Sequence, residues 1–166
     1  MGSEMCIRDR DNFDEFFGII KILSMQGLPK GKKIEIITNG AGPSVLSCDF
    51  IDMAENLELV NVNDLTGSAT ADDYIDAIDK SKAEIILLVF VFQDAPLAES
   101  LEKFYEEIKK RKRFYVALAL GGKFVEEQKK RLAELKIPVF EEPSIVITSL
   151  NKIVEYAMKN ESRSIR

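Results

Sequence analysis

The sequence predicts an α/β fold: a three-layer, doubly wound parallel sheet of five strands with helices on both faces. Three observations predict it. Short apolar runs alternate strictly with longer segments of helical period, the signature of repeated βα units. One of these runs, Glu84 to Phe92, is continuously apolar, as in a central parallel strand covered on both sides. Glycine, asparagine and proline collect where strands should hand over to helices. Right-handed crossovers then place helices on both faces, and a flavodoxin-like strand order fits best.

The elements follow in chain order. From Asn12 to Gln26 the residues Phe13, Phe16, Phe17, Ile20, Leu23 and Met25 recur at mostly helical spacing, and Gly27 and Pro29 stop that helix. Lys33 to Asn39 reads as strand one, and Pro43 to about Asn56 as the next helix. Leu57 to Val60 reads as a short second strand. Thr70 is a candidate cap with Asp73 at the capping-box position, ahead of a helix that buries Tyr74, Ile75 and Ile78. After the apolar third strand, Asp94 is placed to cap a helix from Pro96 to Lys112 with the stripe Leu97, Leu101, Phe104 and Ile108. Phe114 to Leu120 is strand four, ended by Gly121-Gly122, and a helix runs on to Lys136 with Leu132 and Leu135 inward. Ile137 to Phe140 is strand five, and Ile145 to Met158 the last helix. Residues 160–166 read as a polar, frayed tail.

Composition bounds the function. At 166 residues, 46% hydrophobic and 31% charged, the chain has the make-up of one soluble globular domain. A net charge of −5 with no basic face argues against nucleic acid as main partner. The one dense basic run, Lys109 to Arg113, falls at a predicted helix end, where cations complement the dipole. The longest apolar stretch, Ile85 to Phe92, has strand length, so no membrane span is predicted. Cys6 and Cys48 form no framework and no secretory signal is read, which predicts a cytoplasmic protein. Histidine is absent, so acid–base work near neutral pH would need a strongly perturbed carboxylate or lysine, and no His-ligated metal can form. Cys48 falls within a predicted helix, as a small packing residue rather than a nucleophile.

The candidate site is the turn after strand one, Asn39-Gly40-Ala41-Gly42-Pro43-Ser44-Val45. Its glycines keep side chains off the turn, and Pro43 suits the first helical position. A helix beginning there offers unpaired N–H groups and a positive dipole end, for which phosphate is the natural occupant. The spacing matches neither G-x-G-x-x-G nor a Walker loop. Residue types alone leave two readings open, an anion site and a plain tight turn. The other strand ends, Asn61 to Thr66, Gln93-Asp94, Gly121-Gly122 and Glu141-Glu142, make a polar rim where ligands of such sheets gather.

Residues 1–10 look foreign to the fold: Met5 to Arg10 resembles the translation of the transposon end used in preparing sequencing libraries. On that reading residues 11–159 are one domain, the C-terminal piece of a longer protein.

Thr38-Asn39-Gly40-Ala41-Gly42-Pro43 through Asp49 resembles the T-N-x-G-G-P-x-x-x-x-x-D segment of NDP-forming acyl-CoA synthetases. It also resembles the N-G-A-G-x-x-x-x-x-x-D segment in the C-terminal domain of the succinyl-CoA synthetase β subunit. Asp64 to Thr70 with Tyr74 is similar to the family's N-P-V-D-L-T-G-x-A-T…Y, and Ile137 to Phe140 with Pro143 to its closing G-I-P-V-x…P-E-x-A. The matches are collinear from Asp11 to Met158. The resemblance implies the C-terminal flavodoxin-like domain of an ADP-forming acetate–CoA ligase α-type chain. It implies a ligase joining acids to CoA through a phosphohistidine, with a helix N-terminus at Pro43-Ser44 that stabilises it. By the same resemblance the backbone N–H groups of Gly40 to Val45 receive the phosphoryl group. Asn39 contacts phosphate or carboxylate, and Asp64 and the loop Gln93-Asp94-Ala95 belong to the substrate site.

The implied partners are upstream CoA-binding and phosphohistidine domains and an ATP-grasp subunit or domain. CoA, ADP/ATP and Mg are implied for the whole enzyme, and no cofactor for this domain alone. The chain departs from the family pattern in four respects. It has no histidine, so it is expected to be inactive by itself. The family's connection between strand two and N-P-V-D is shortened to Val60-Asn61-Val62-Asn63-Asp64, and Val62 and Asp94 replace a proline and a small residue. A non-catalytic binding or regulatory module derived from a CoA ligase is the alternative that the shortened connection supports.

Overall fold

The computed structural model describes residues 13–92, 95–120 and 122–164. The proposed foreign leader, Gln93, Asp94 and Gly121 lie outside the described residues. The elements run α1 Phe13–Gln26, β1 Lys33–Thr38, α2 Ala41–Asp52, β2 Glu58–Asp64, α3 Ala71–Lys80, β3 Ile85–Val91, α4 Ala95–Ile108, β4 Phe114–Leu120, α5 Lys123–Glu134, β5 Val139–Phe140 and α6 Pro143–Ser164.

All pairings are parallel, and the strand order is β2-β1-β3-β4-β5. This is the expected doubly wound order. The β1→β2 crossover steps one way along the sheet and β2→β3 steps the other, so right-handed connections put α2 and α3 on opposite faces. β3 lies at the centre, and its residues alternate between two cores. Ile86, Leu88 and Phe90 join Tyr74, Ile78, Leu101, Phe104 and Leu132 of α3, α4 and α5. Ile85, Leu87 and Val89 join Ile22, Ile51, Val146, Leu150 and Ile153 of α1, α2 and α6. Each such side chain contributes ~1.5–3 kcal/mol on burial, which explains why the β3 run was legible from its composition alone.

Several elements differ from the sequence expectation for physical reasons. The stretch expected as a shortened connection, Val60 to Asp64, is the second half of β2, paired with β1 from Glu35↔Asn61 to Thr38↔Asp64 after an irregularity beside Ile34/Glu35. As an edge strand it is mostly exposed and therefore polar, which hides it from a search for apolar runs. Asn61 Nδ2 donates to the buried Glu35 carboxylate at 2.8 Å, so a polar pair does there what apolar packing does elsewhere.

The periodicity of α1 predicts the helix but not its inward face. Glu15, Gly18 and Ile22 are buried, whereas Phe13 and Phe17 are 80% and 61% exposed and Ile20 and Leu23 are also exposed. Gly18 is what lets α1 approach α6, because a Cβ there would run into Ser149 Oγ. α4 ends at Ile108 rather than Lys112, so the basic run lies in the connection to β4. α6 continues to Ser164, past the expected end at Met158.

Candidate functional site

β1 ends at Thr38, and Gly40, extended at φ −147° and ψ 122°, is the N-cap of α2. The helix therefore starts at Ala41, two residues before the Pro43-Ser44 start expected from the resemblance. Pro43 occupies the third helical position, where its N–H is as dispensable as at the first. Gly42 makes this possible, since the residue before a proline resists helical backbone partly through its Cβ.

The turn is clamped from within. Thr38 Oγ1 accepts the Gly40 N–H at 2.9 Å and donates to the Gly40 carbonyl at 2.9 Å. Asn39 is buried, and its carboxamide stands in for the strand peptide that the chain loses when it turns away. Its Nδ2 donates to the Val91 carbonyl at 3.0 Å and its Oδ1 accepts the Val91 N–H at 2.9 Å. This clasp extends the β1–β3 ladder beyond its last pair, Thr38↔Val89, at the point where the strand order reverses. The Tyr74 hydroxyl lies 3.1 Å from Asn39 Oδ1 and 2.9 Å from the Val89 carbonyl, and shares its proton between them. Burial raises the Tyr74 phenol well above its ordinary pKa, so it remains a donor. Gly40 must be glycine because Val91 crosses over it: a Cβ would sit 2.5 Å from Val91 Cγ2. Gly42 differs, with only open space where its Cβ would be.

These bonds decide which groups are available. Of the first four N–H groups of α2, that of Gly40 is taken by Thr38 and Pro43 has none. Ser44 and Val45 donate into the helix ladder, so among the described residues the N–H groups of Ala41 and Gly42 are the ones left to face a ligand. Ser44 is buried and its hydroxyl donates to the Ala41 carbonyl at 2.7 Å. Among the described residues no side chain caps α2, and its first turn carries no acidic residue. The candidate site thus contracts from seven residues to two exposed peptide N–H groups on a fixed frame.

Asn39 and Asp64 also sit differently from expectation. Asn39 holds Val91 and is a positioning residue in this arrangement. Asp64 lies beside Thr38 in register, at the same sheet edge, but its carboxylate accepts the Thr66 N–H at 2.9 Å in a local turn. Ala95 opens α4, and its neighbours Gln93 and Asp94 lie outside the described residues. Cys48 is half-buried, and burial, followed by Asp52 and Asp49, pushes its thiol up, which suits packing and not nucleophilic chemistry. Thr38, Tyr74 and Val91 carry the geometry of the turn without having been singled out for it. A threonine just before Asn-Gly is the one local signal that pointed to the Thr38 clamp.

No protein-family model matches the chain. It is similar to the α subunits of two ADP-forming acetate–CoA ligases of Pyrococcus furiosus. It is 25% identical to subunit α of ligase II over a 178-residue alignment that covers 89% of this chain and 38% of the relative. It is 28% identical to subunit α of ligase I over 170 residues, covering 86% of this chain and 37% of the relative. Its fold matches that of a Pyrococcus horikoshii OT3 protein with a TM-score of 0.75 at 22% identity, covering 89% of this chain and 40% of the other. It also matches the dinucleotide-forming acetyl-coenzyme A synthetase 1 of Candidatus Korarchaeum cryptofilum, with a TM-score of 0.71 at 20% identity, covering 90% and 40%. The chain spans less than two fifths of the length of the curated relatives it matches. Over most of its own length, this chain is a homologue of the α subunits of ADP-forming acetate–CoA ligases.

Proposed function

We propose that this chain supplies one half of a phosphoryl-stabilising site within an ADP-forming acyl-CoA synthetase. The N-terminus of α2 stabilises a phosphohistidine that another part of the enzyme carries. The observation behind this reading is the pair of exposed Ala41 and Gly42 N–H groups, uncapped and free of carboxylates among the described residues, on a turn clamped by Thr38 and Asn39. Donors fixed before the phosphoryl group arrives stabilise its charge without reorganising, which is how electrostatic catalysis gains most. Nothing in the turn offers acid–base or nucleophilic chemistry, so its contribution is charge stabilisation.

The phosphorylated histidine must come from elsewhere, because this sequence has none. Upstream CoA-binding and phosphohistidine domains and an ATP-grasp subunit or domain are therefore the partners of this reading, and CoA, nucleotide and Mg bind on them. Asp64 and the Gln93-Asp94-Ala95 segment would border the bound acid or phosphate. The enzyme would act in the cytoplasm on a small carboxylic acid.

Amide NMR of the chain during titration with inorganic phosphate tests the site. Saturable shifts centred on Ala41 and Gly42, with no ligase turnover by the chain alone, are expected. No shift at millimolar phosphate, or shifts without a maximum at this turn, would overturn the reading.

A further inference from the structure

α1 carries two apolar faces, and the fold uses only one of them. Gly18 and Ile22 face α6 and the sheet. Phe13, Phe16, Ile20 and Leu23 stand three, four and three residues apart, so they share a seam on the other side of the helix, with Phe17 beside it. Phe13 and Phe17 are the two most exposed aromatic residues among those described, and Ile20 and Leu23 are exposed as well. Phe16 meets Phe17 edge-on, with ring centroids 5.5 Å apart. No charged residue falls on the seam.

The opposite layer shows what a solvated helix face looks like in this molecule. There Lys103 pairs with Asp72 and Arg111 with Asp79, each at 2.7 Å, and Arg131 pairs with Glu102, which ties α3, α4 and α5 together by their charges. Among the described residues Phe124 is the one large apolar side chain that those three helices expose. A helix that is apolar on both sides belongs inside a larger assembly.

The spacing says what kind of surface covers it. Apolar residues at alternating intervals of three and four are the a and d positions of a heptad, which seat against another helix. A lipid surface would call for flanking lysine and arginine, whereas this chain has a net charge of −5 and only Lys21 within α1. An uncharged seam lets two identical copies meet without like-charge repulsion, despite that net charge. In an antiparallel pair a positions face d positions, which sets Phe13 on the other copy's Leu23 and Phe16 on its Ile20. Each ring then packs on an aliphatic side chain, Phe17 approaches its own counterpart beside the two-fold axis, and the helix dipoles oppose. The area is also sufficient. A whole aromatic side chain buries ~150–250 Å², so Phe13 and Phe17, with Ile20 and Leu23, offer roughly 400 Å² of apolar surface per copy. A third or more of an interface is polar, which brings the contact toward the ~800 Å² per partner of a specific complex.

We propose that this chain dimerises through α1, seam to seam and antiparallel about a two-fold axis. α6 lies between α1 and α2, so the contact leaves the α2 turn open and does not rest on the phosphohistidine reading.

Sedimentation equilibrium of the whole chain from ~1 to ~100 μM tests the proposal, with a monomer–dimer equilibrium expected in that range. Phe13→Glu puts a carboxylate on the seam at a position that is 80% exposed, and an acidic residue in the first turn suits the helix dipole. It should keep the wild-type circular dichroism and weaken the dimer at least tenfold. Ile20→Glu, nearer the two-fold axis, should weaken it as much or more. Met53→Glu, equally exposed but at the end of α2, should leave the dissociation constant unchanged. In a mixture of isotope-labelled and unlabelled chains, intermolecular NOEs should join Phe13 to Leu23 and Phe16 to Ile20. Association that survives both seam variants, or is lost equally in Met53→Glu, would overturn the proposal, as would NOEs joining Phe13 to Phe13 or lying outside α1. A monomer at every concentration would overturn it too, and would leave this face to the part of the relatives' length that the chain does not span.

Discussion

At the N-terminus of α3, the Thr70 N–H and hydroxyl donate to Asp73 at 2.8 and 2.7 Å, and the Ala71 N–H donates to Ser100 Oγ at 2.9 Å. At the N-terminus of α2, which begins on the same edge of the sheet, the cap is a glycine and no carboxylate lies in the first turn. The two helices begin in the same setting, yet α3 neutralises its own dipole and leaves its N–H groups no external task. α2 spends its side chains on a different job: Thr38, Asn39 and Tyr74 hold the turn still, and none of them reaches the Ala41 or Gly42 N–H groups. A helix end built to be stable and one built to receive an anion are thus distinguishable by where the polar side chains point.

The comparison breaks first at Asn39. Asn39→Ala would leave the Val91 N–H and carbonyl without their clasp, and is expected to cost about 3 kcal/mol in denaturant unfolding, since each buried unsatisfied group costs ~1–3 kcal/mol. An effect below ~1 kcal/mol would mean that water replaces the side chain. Gly40→Ala comes next. Its Cβ would press into Val91, and the overpacking should cost ~1–3 kcal/mol and displace the turn, weakening the phosphate response of Ala41 and Gly42.

At α3, Asp73→Ala should cost ~1 kcal/mol at neutral pH, the usual value of a lost cap, and leave the phosphate response unchanged. The Thr70 backbone N–H, and after it the Thr70 hydroxyl, hold the Asp73 carboxyl below its ordinary pKa. A lowered folded value means that this stabilisation is present above the unfolded value of ~3.9 and is lost as pH falls through the folded value. The difference between wild type and Asp73→Ala should therefore shrink when unfolding is measured at pH 3 instead of pH 7. Gly42→Ala should cost on the order of 1 kcal/mol: its Cβ meets nothing beyond its chain neighbours, but ahead of Pro43 it disfavours the helical backbone. It should also reduce phosphate-induced shifts, because that open space is the approach to the two N–H groups. Unchanged shifts would place the ligand elsewhere.

The same contrast explains what could be read from the sequence. The capping box of α3 was legible because all its parts lie within four residues, Thr70 to Asp73. β4 was legible to the residue, and β3 to within one residue at each end, because they are buried on both faces. The Asn39 clasp was not legible, since its partners Val91 and Tyr74 come from other elements, 52 and 35 residues away. The start of α2 was misplaced because Ala41-Gly42-Pro43 reads as turn chemistry, whereas tertiary contacts at Gly40 and Asn39 begin the helix before the proline. α1 failed in another way. Its apolar period marks a helix, but the faces are decided by Gly18 against α6, and a glycine adds nothing to a hydrophobic stripe.

Asn39-Gly40 is also the dipeptide in which deamidation is ordinarily fastest, because an unhindered glycine nitrogen can attack the asparagine side-chain carbon. Here the nitrogen is committed to Thr38 Oγ1 and the carboxamide to Val91, so the cyclisation cannot start from the folded chain. Asparagine counts among the thermolabile residues, and this one is chemically durable only while β1 and β3 stay together. Conversion to aspartate would set a carboxylate against the Val91 carbonyl and keep the strands from closing again, so the ageing of old molecules would record how often each had opened.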